Sequence, residues 1–178
     1  MMFLSRYLDY TKLKGQLANV ITITNLSFGI IAIILIASDL GHMSLVFIFL
    51  AALFDRFDGL VARHFNSESD FGKELDSLSD IVSFGVAPAL LIFMTELSGM
   101  QWVGISATVF YIAAGAIRLA RYNVREFDGS FYGVPITAAG VLLTLCYFMG
   151  PYVGAPFFVI LMVLLGLAMM SNIRIAKL

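Results

Sequence analysis

Of the 178 residues, 60% are hydrophobic and only 13% charged, with a mean hydropathy of +0.93, whereas a soluble domain carries roughly 25% charged residues. This composition excludes an ordinary soluble domain and points to an all-α integral membrane protein. A span needs about 20 mostly apolar residues, so the chain has room for six transmembrane helices with short connections and no separate soluble domain. The one cysteine, Cys146, excludes an intramolecular disulfide and a CxxC metal site.

The chain opens on Met1 to Leu17, where Phe3, Leu4, Tyr7, Leu8, Leu13 and Leu17 alternate with Arg6, Asp9, Lys12 and Lys14. That mixture suits a helix lying in the membrane interface and does not suit a signal peptide, whose charged prefix is shorter. Residues 1–17 are therefore read as an interfacial amphipathic segment and 18–178 as the six-helix domain. In windows of about 19 residues the apolar runs fall at Ala18–Ala37, Met43–Ala62, Leu75–Leu97, Trp102–Tyr122, Gly133–Met149 and Val153–Ile175. Turn chemistry separates them: Ser38 to Gly41, Ser98-Gly99, Asn123 to Gly129 and Gly150-Pro151.

The net charge of −1 hides an asymmetry. Arg6, Lys12 and Lys14 precede the first span, and Arg56, Arg63 and Lys73 surround the second connection. Arg118, Arg121 and Arg125 flank the fourth, and Arg174 and Lys177 end the chain. The other connections have no lysine or arginine. By the positive-inside rule both termini and these connections are cytoplasmic, in a multi-pass protein of the cell membrane.

Four aspartates lie near the cytoplasmic ends of two spans. Asp55 and Asp58 are three apart, and Asp76 and Asp80 four apart, so each pair occupies one helix face. A carboxylate at a helix centre costs at least about 2.5 kcal/mol in lipid, so such a group implies a partner or a function. If the second and third spans pack antiparallel, the four carboxylates converge and repel unless divalent cations join them. All-oxygen ligation suits Mg²⁺ or Mn²⁺ rather than zinc. Two such ions, about 3.5–4 Å apart, would neutralise a diphosphate and stabilise attack at phosphorus. Gly59 and Ala62 leave a bare surface for a nucleotide to approach the backbone, and Gly72 relieves the start of the third span. Arg63 has a planar fork suited to phosphate.

Asp58-Gly59-Leu60-Val61-Ala62-Arg63, eight residues, Gly72, three residues, Asp76, three residues and Asp80 resembles the CDP-alcohol phosphatidyltransferase signature, DGxxAR(x)8GxxxDxxxD. Asp55 adds the earlier aspartate of its longer form, and nothing within the motif departs from it. The resemblance implies a six-helix homodimeric membrane enzyme open to the cytoplasmic leaflet. It implies Asp55, Asp58, Asp76 and Asp80 as metal ligands, with Asp80 also the general base. Gly59, Arg63 and Ser69 match family positions that touch the CDP moiety.

Further likeness runs to the serine-accepting branch of the family: Gly72 to Ser77, Val82 to Pro88, Arg118 to Val124, Tyr132 to Pro135, and Asn19 to Leu26. The substrates implied are CDP-diacylglycerol and L-serine, among membrane lipids and with no nucleic-acid polymer as partner. Arg118 and Arg121, three apart, are candidates for the serine carboxylate, with Asn123 an uncharged companion; fixing topology is their alternative role. Asn19, Thr22 and Asn25 share one face of the first span, suited to hydrogen bonds with cytosine or ribose, or equally to polar bonding between helices.

Two other readings stand beside this one. Glycerol phosphate or inositol phosphate would also call for arginines at the acceptor site. A divalent-metal transporter would use intramembrane aspartates too, but here they cluster at one edge and the other spans offer no acidic residue at mid-depth.

Overall fold

The structure, a computed structural model, describes residues 2–64, 69–124 and 131–175, with the side chains of 2–15, 58, 61–64, 131 and 174–175 outside the described set. Helix α1 runs from Met2–Ala37 and α2 from Gly41–His64. Asp39, at φ 59°, makes the turn between them, a left-handed conformation that aspartate tolerates better than most residues. Helix α1 is unbroken where the amphipathic segment meets the first apolar run. Its 36 residues span about 54 Å at 1.5 Å per residue, well beyond a hydrocarbon layer of about 30 Å.

Helix α3, Asp70–Asp80, starts on Ser69, whose side chain accepts from the Gly72 amide at 3.0 Å. This N-cap satisfies one of the four amides that a helix start leaves open. The helix widens through a π segment, Ile81–Val86, continues as α4, Ala87–Ile92, and widens again at Phe93–Leu97. A wide turn leaves carbonyls without their usual partners. The buried Tyr111 hydroxyl takes one of them, donating to the Phe84 carbonyl at 3.0 Å.

A single 3₁₀ turn, Ser98–Met100, and Gln101 at φ 34° reverse the chain. Helix α5, Gln101–Val124, then returns antiparallel: Gly104 lies against Leu97, Tyr111 meets Phe84, and Asn123 reaches Ser77. The continuous apolar stretch Asp70–Val124 is thus two helical passes.

Helix α6, Ile136–Cys146, begins after Pro135, three residues later than the apolar run suggests, because Gly133 sits at φ +71° against the end of the last helix. A 3₁₀ stretch, Tyr147–Tyr152, contains the expected Gly150-Pro151 break. Helix α7, Ala155–Met170, ends five residues short of the expected Ile175. Its last carbonyls are taken by the Val134 amide, by Ser171 and by Arg121. The chain beyond pairs as β2, Arg174–Ile175, with β1, Phe131–Tyr132, in a two-residue antiparallel ladder.

Apolar side chains fill the core and also cover the outside, with several polar ones buried among them. Thr22, Asn25, Ser79, Asp80, Ser83 and Thr144 are buried, while Val20, Ile23, Ile34, Val46, Leu53, Val109 and Leu164 face outward. In water that exposure would be costly, whereas in lipid it is neutral and packing relies on close contact between small residues. Gly29 touches Ser83, and a Cβ at Gly140 would lie 2.6 Å from the Phe84 carbonyl oxygen. These two approaches draw α1 and α6 onto the third apolar stretch, which becomes the centre of the molecule.

Candidate active site

Helix α2 brings Asp55, and helix α3 brings Asp76 and Asp80, to one point: a carboxylate oxygen from each lies within 4.8 Å of the other two. Asp80 is buried, and Asp55 and Asp76 are half-buried. Asp55 lies within hydrogen-bonding reach of Asp80, a separation that two carboxylates hold only with a proton or a cation between them. Three carboxylates, with no thiol or imidazole joining them among the described residues, make a donor set for a hard divalent cation. Asp58 is on α2 one turn nearer its C-terminal end, and its side chain lies outside the described residues, as do those of Ala62 and Arg63.

The structure adds a residue that sequence reading overlooked. Thr137, on the first turn of α6, donates to Asp55 Oδ2 at 3.4 Å. Its place just after Gly133-Val134-Pro135 was the available signal, but a lone threonine in an apolar run has no periodic partner to single it out.

On the α1 side, Gly72 allows the close approach: a Cβ there would lie 3.3 Å from Asn19 Oδ1 and 3.2 Å from Ser69 Oγ. Asn19 and Ser69 thus both border Gly72 at the start of α3, and Gly59 of α2 is half-buried. Deeper in, Ser79 donates to the Thr22 carbonyl at 3.3 Å and Ser83 to the Asn25 carbonyl at 3.2 Å. The Thr22 hydroxyl donates within its own helix, to Ala18. Serine bonds therefore join α1 to α3 and to the π segment after it, at Thr22 and Asn25.

The three acceptor candidates part company. Arg118, half-buried on α5, faces Asp80 and Tyr122 electrostatically, and its Nε has no hydrogen-bond partner. Arg121 donates instead to the Met170 carbonyl at 3.1 Å, at the end of α7, where a cation complements the helix dipole. Asn123 donates to Glu74 at 3.2 Å and to Ser77 at 3.0 Å, bracing α3 against α5. Of the three, Arg118 is the one whose charge is felt by an aspartate of the cluster, Asp80.

A family model for the CDP-alcohol phosphatidyltransferases matches residues 15–173. Among curated proteins, the chain is 40% identical over 162 residues to the CDP-diacylglycerol–serine O-phosphatidyltransferase of Methanocaldococcus jannaschii, covering 90% of this chain and 74% of that protein. It is 38% identical over 129 residues to the protein of the same name in Bacillus subtilis, covering 72% of this chain and 73% of the relative. An archaetidylserine synthase of Methanothermobacter thermautotrophicus is 34% identical over 163 residues, covering 89% of this chain and 68% of that one.

Proposed function

Because the chain belongs to the CDP-alcohol phosphatidyltransferase family, we propose that it transfers the phosphatidyl group of CDP-diacylglycerol to L-serine, releasing phosphatidylserine and CMP. The observation that carries this reading is the convergence of Asp55, Asp76 and Asp80 within 4.8 Å, inside a complete aspartate signature. The relatives named above, from both archaea and bacteria, carry serine in their names.

In this reading the chain crosses the cytoplasmic membrane six times as a homodimer, with both termini and the site at the cytoplasmic face. Residues 1–17 lie toward the interface as the extension of α1. Asp55, Asp58, Asp76 and Asp80 would hold two divalent ions, Mg²⁺ or Mn²⁺, which supply charge neutralisation at the diphosphate. Gly59, Ala62, Arg63, Ser69, Gly72, Asn19 and Thr22 form the CDP side, where two glycines and an alanine admit a flat nucleotide against α2 and α3.

Arg118 receives the serine carboxylate, because it faces Asp80 across the site and keeps a donor available. Arg121 and Asn123 serve that pocket by holding α5 to α7 and to α3. Asp80 takes the proton of the serine hydroxyl as its oxygen attacks phosphorus, and the bond from phosphorus to the CMP oxygen breaks. Burial of Asp80 beside Ile81 and Val82 limits the water that would otherwise hydrolyse the activated lipid.

The test is purified protein in detergent or liposomes, given CDP-diacylglycerol, a divalent salt and separately labelled serine, glycerol phosphate and inositol phosphate. Phosphatidylserine and CMP in equal amounts are expected. Transfer to another alcohol alone would reassign the acceptor, and metal flux into liposomes without transfer would replace the enzyme reading with a transporter.

A further inference from the structure

Asn25 is fully buried, and neither its Nδ2 nor its Oδ1 has a hydrogen-bond partner. An orphaned amide inside a protein costs on the order of 1–3 kcal/mol per missing bond, so its persistence calls for a ligand or a strain that function requires. Its direction follows from its neighbours on α1. Phe28, three residues on, packs edge-on against Phe54 of α2, with ring centroids 5.1 Å apart. Gly29, four residues on, touches Ser83 beyond α3. On a helix, position i lies between i+3 and i+4 and one turn away. Asn25 therefore points into the seam between α2 and the third apolar stretch, one turn nearer the cytoplasm than the Phe28–Phe54 layer.

The residues that reach this depth from the other two walls are the acidic ones. On α2, which runs antiparallel to α1, the residue after Phe54 is Asp55 and Asp58 follows one turn later. On the third stretch, Ser83 donates to the Asn25 carbonyl, and Asp80 lies one turn back toward the cytoplasm. This register sets the amide about one turn from Asp80 and near the depth of Asp55, two of the three converging carboxylates. This placement separates it from Asn19, which lies two turns away at the start of α3.

We infer that Asn25 is a neutral member of the metal centre, its amide bonding an ion held by Asp55, Asp76 and Asp80 directly through Oδ1 or through one water on that ion. A neutral oxygen adds coordination without adding to the repulsion among the carboxylates, and a buried amide beside them fixes how deep an ion sits. The inference rests on the proposed function for the ion's purpose but not for its binding. Its test therefore reads binding directly.

Purified wild type, Asn25→Leu and Asn25→Asp are titrated with Mn²⁺ by electron paramagnetic resonance, and their thermal unfolding is followed in EDTA. Because leucine removes an unsatisfied amide, Asn25→Leu should unfold in EDTA at or above the wild-type temperature, yet bind Mn²⁺ about tenfold more weakly, the lower end of the loss seen when metal-supporting partners are removed. Asn25→Asp, which keeps the shape and an oxygen, should bind at least as tightly as wild type. A folded Asn25→Leu with wild-type Mn²⁺ affinity overturns the inference. So does an Asn25→Leu that unfolds early or fails to fold, since the amide would then be bonding between helices, and so does an Asn25→Asp that loses the metal. Wild type that binds Mn²⁺ but transfers no phosphatidyl group would remove the proposed function and leave this inference standing.

Discussion

Replacing Asp55 with asparagine tests whether the carboxylates form a charge trap or a set of ordinary helix-end acids. With oxygens within 4.8 Å of each other, each ionised pair repels by about 3.5 kcal/mol or more at an effective dielectric of about 20. Without a cation the folded protein must relieve this repulsion by taking up a proton or relaxing. Asp55→Asn removes two of the three pairs while keeping the side-chain shape and an oxygen for Thr137. In EDTA the variant should therefore unfold no earlier than wild type, and later if relaxation is incomplete. Wild type gains from metal instead: at a concentration 100 times Kd, binding adds about 2.7 kcal/mol, or a rise of about 5–10 °C for a chain of this size. The assay is thermal unfolding in detergent, in EDTA and across a Mn²⁺ series. The reasoning fails if Asp55→Asn is destabilised in EDTA while retaining the full rise with Mn²⁺, because Asp55 would then be a structural acid with no part in metal binding.

Two further outcomes follow from the same geometry. Asp80→Asn should retain CDP-diacylglycerol binding, measured by equilibrium dialysis, and lose about 10²-fold or more of its transfer to serine, the scale of a lost general base; serine-independent exchange of labelled CMP into CDP-diacylglycerol, with a phosphatidyl group trapped on wild type and absent from the variant, would instead make Asp80 a nucleophile. Arg118→Gln should raise KM for serine about tenfold or more with little change in KM for CDP-diacylglycerol, whereas Arg121→Gln should lower the unfolding temperature with a smaller effect on KM; equal KM effects on both substrates by Arg118→Gln would remove it from the acceptor pocket.

The helical architecture was legible because hydrophobic run length is set by bilayer thickness, and the breaks at Asp39, at Ser98-Gly99 and at Gly150-Pro151 coincide with residues that suit turns. The ends were less legible. Nothing in Val153–Ile175 signals a stop at Met170, because that stop is made by residues distant in sequence: Arg121 from α5 and the Gly133-Val134 segment take the final carbonyls. The two π segments were hidden for a similar reason. A widened turn needs another donor for its stranded carbonyl, and Tyr111, 27 residues from Phe84, provides it.

The site divided along the same line. Of the four aspartates picked out by spacing, the convergence of Asp55, Asp76 and Asp80 was legible because repulsion between carboxylates is local chemistry: residues three or four apart on facing helices either share a cation or avoid each other. Arg118 and Arg121 could not be told apart that way, since both lie near the C-terminal end of α5 and either could meet a carboxylate. What distinguishes them is the rotation between positions 118 and 121, about 300° along the helix. That rotation turns one guanidinium toward Asp80 and the other toward the end of α7. Asn25 is the converse case, singled out by its periodicity with Asn19 and Thr22 as either a nucleotide contact or a polar bond between helices. Periodicity indicates a face but carries no information on depth. Depth comes from contacts distant in sequence, Phe28 with Phe54 and Gly29 with Ser83, and the inference that the amide serves the metal centre rests on them.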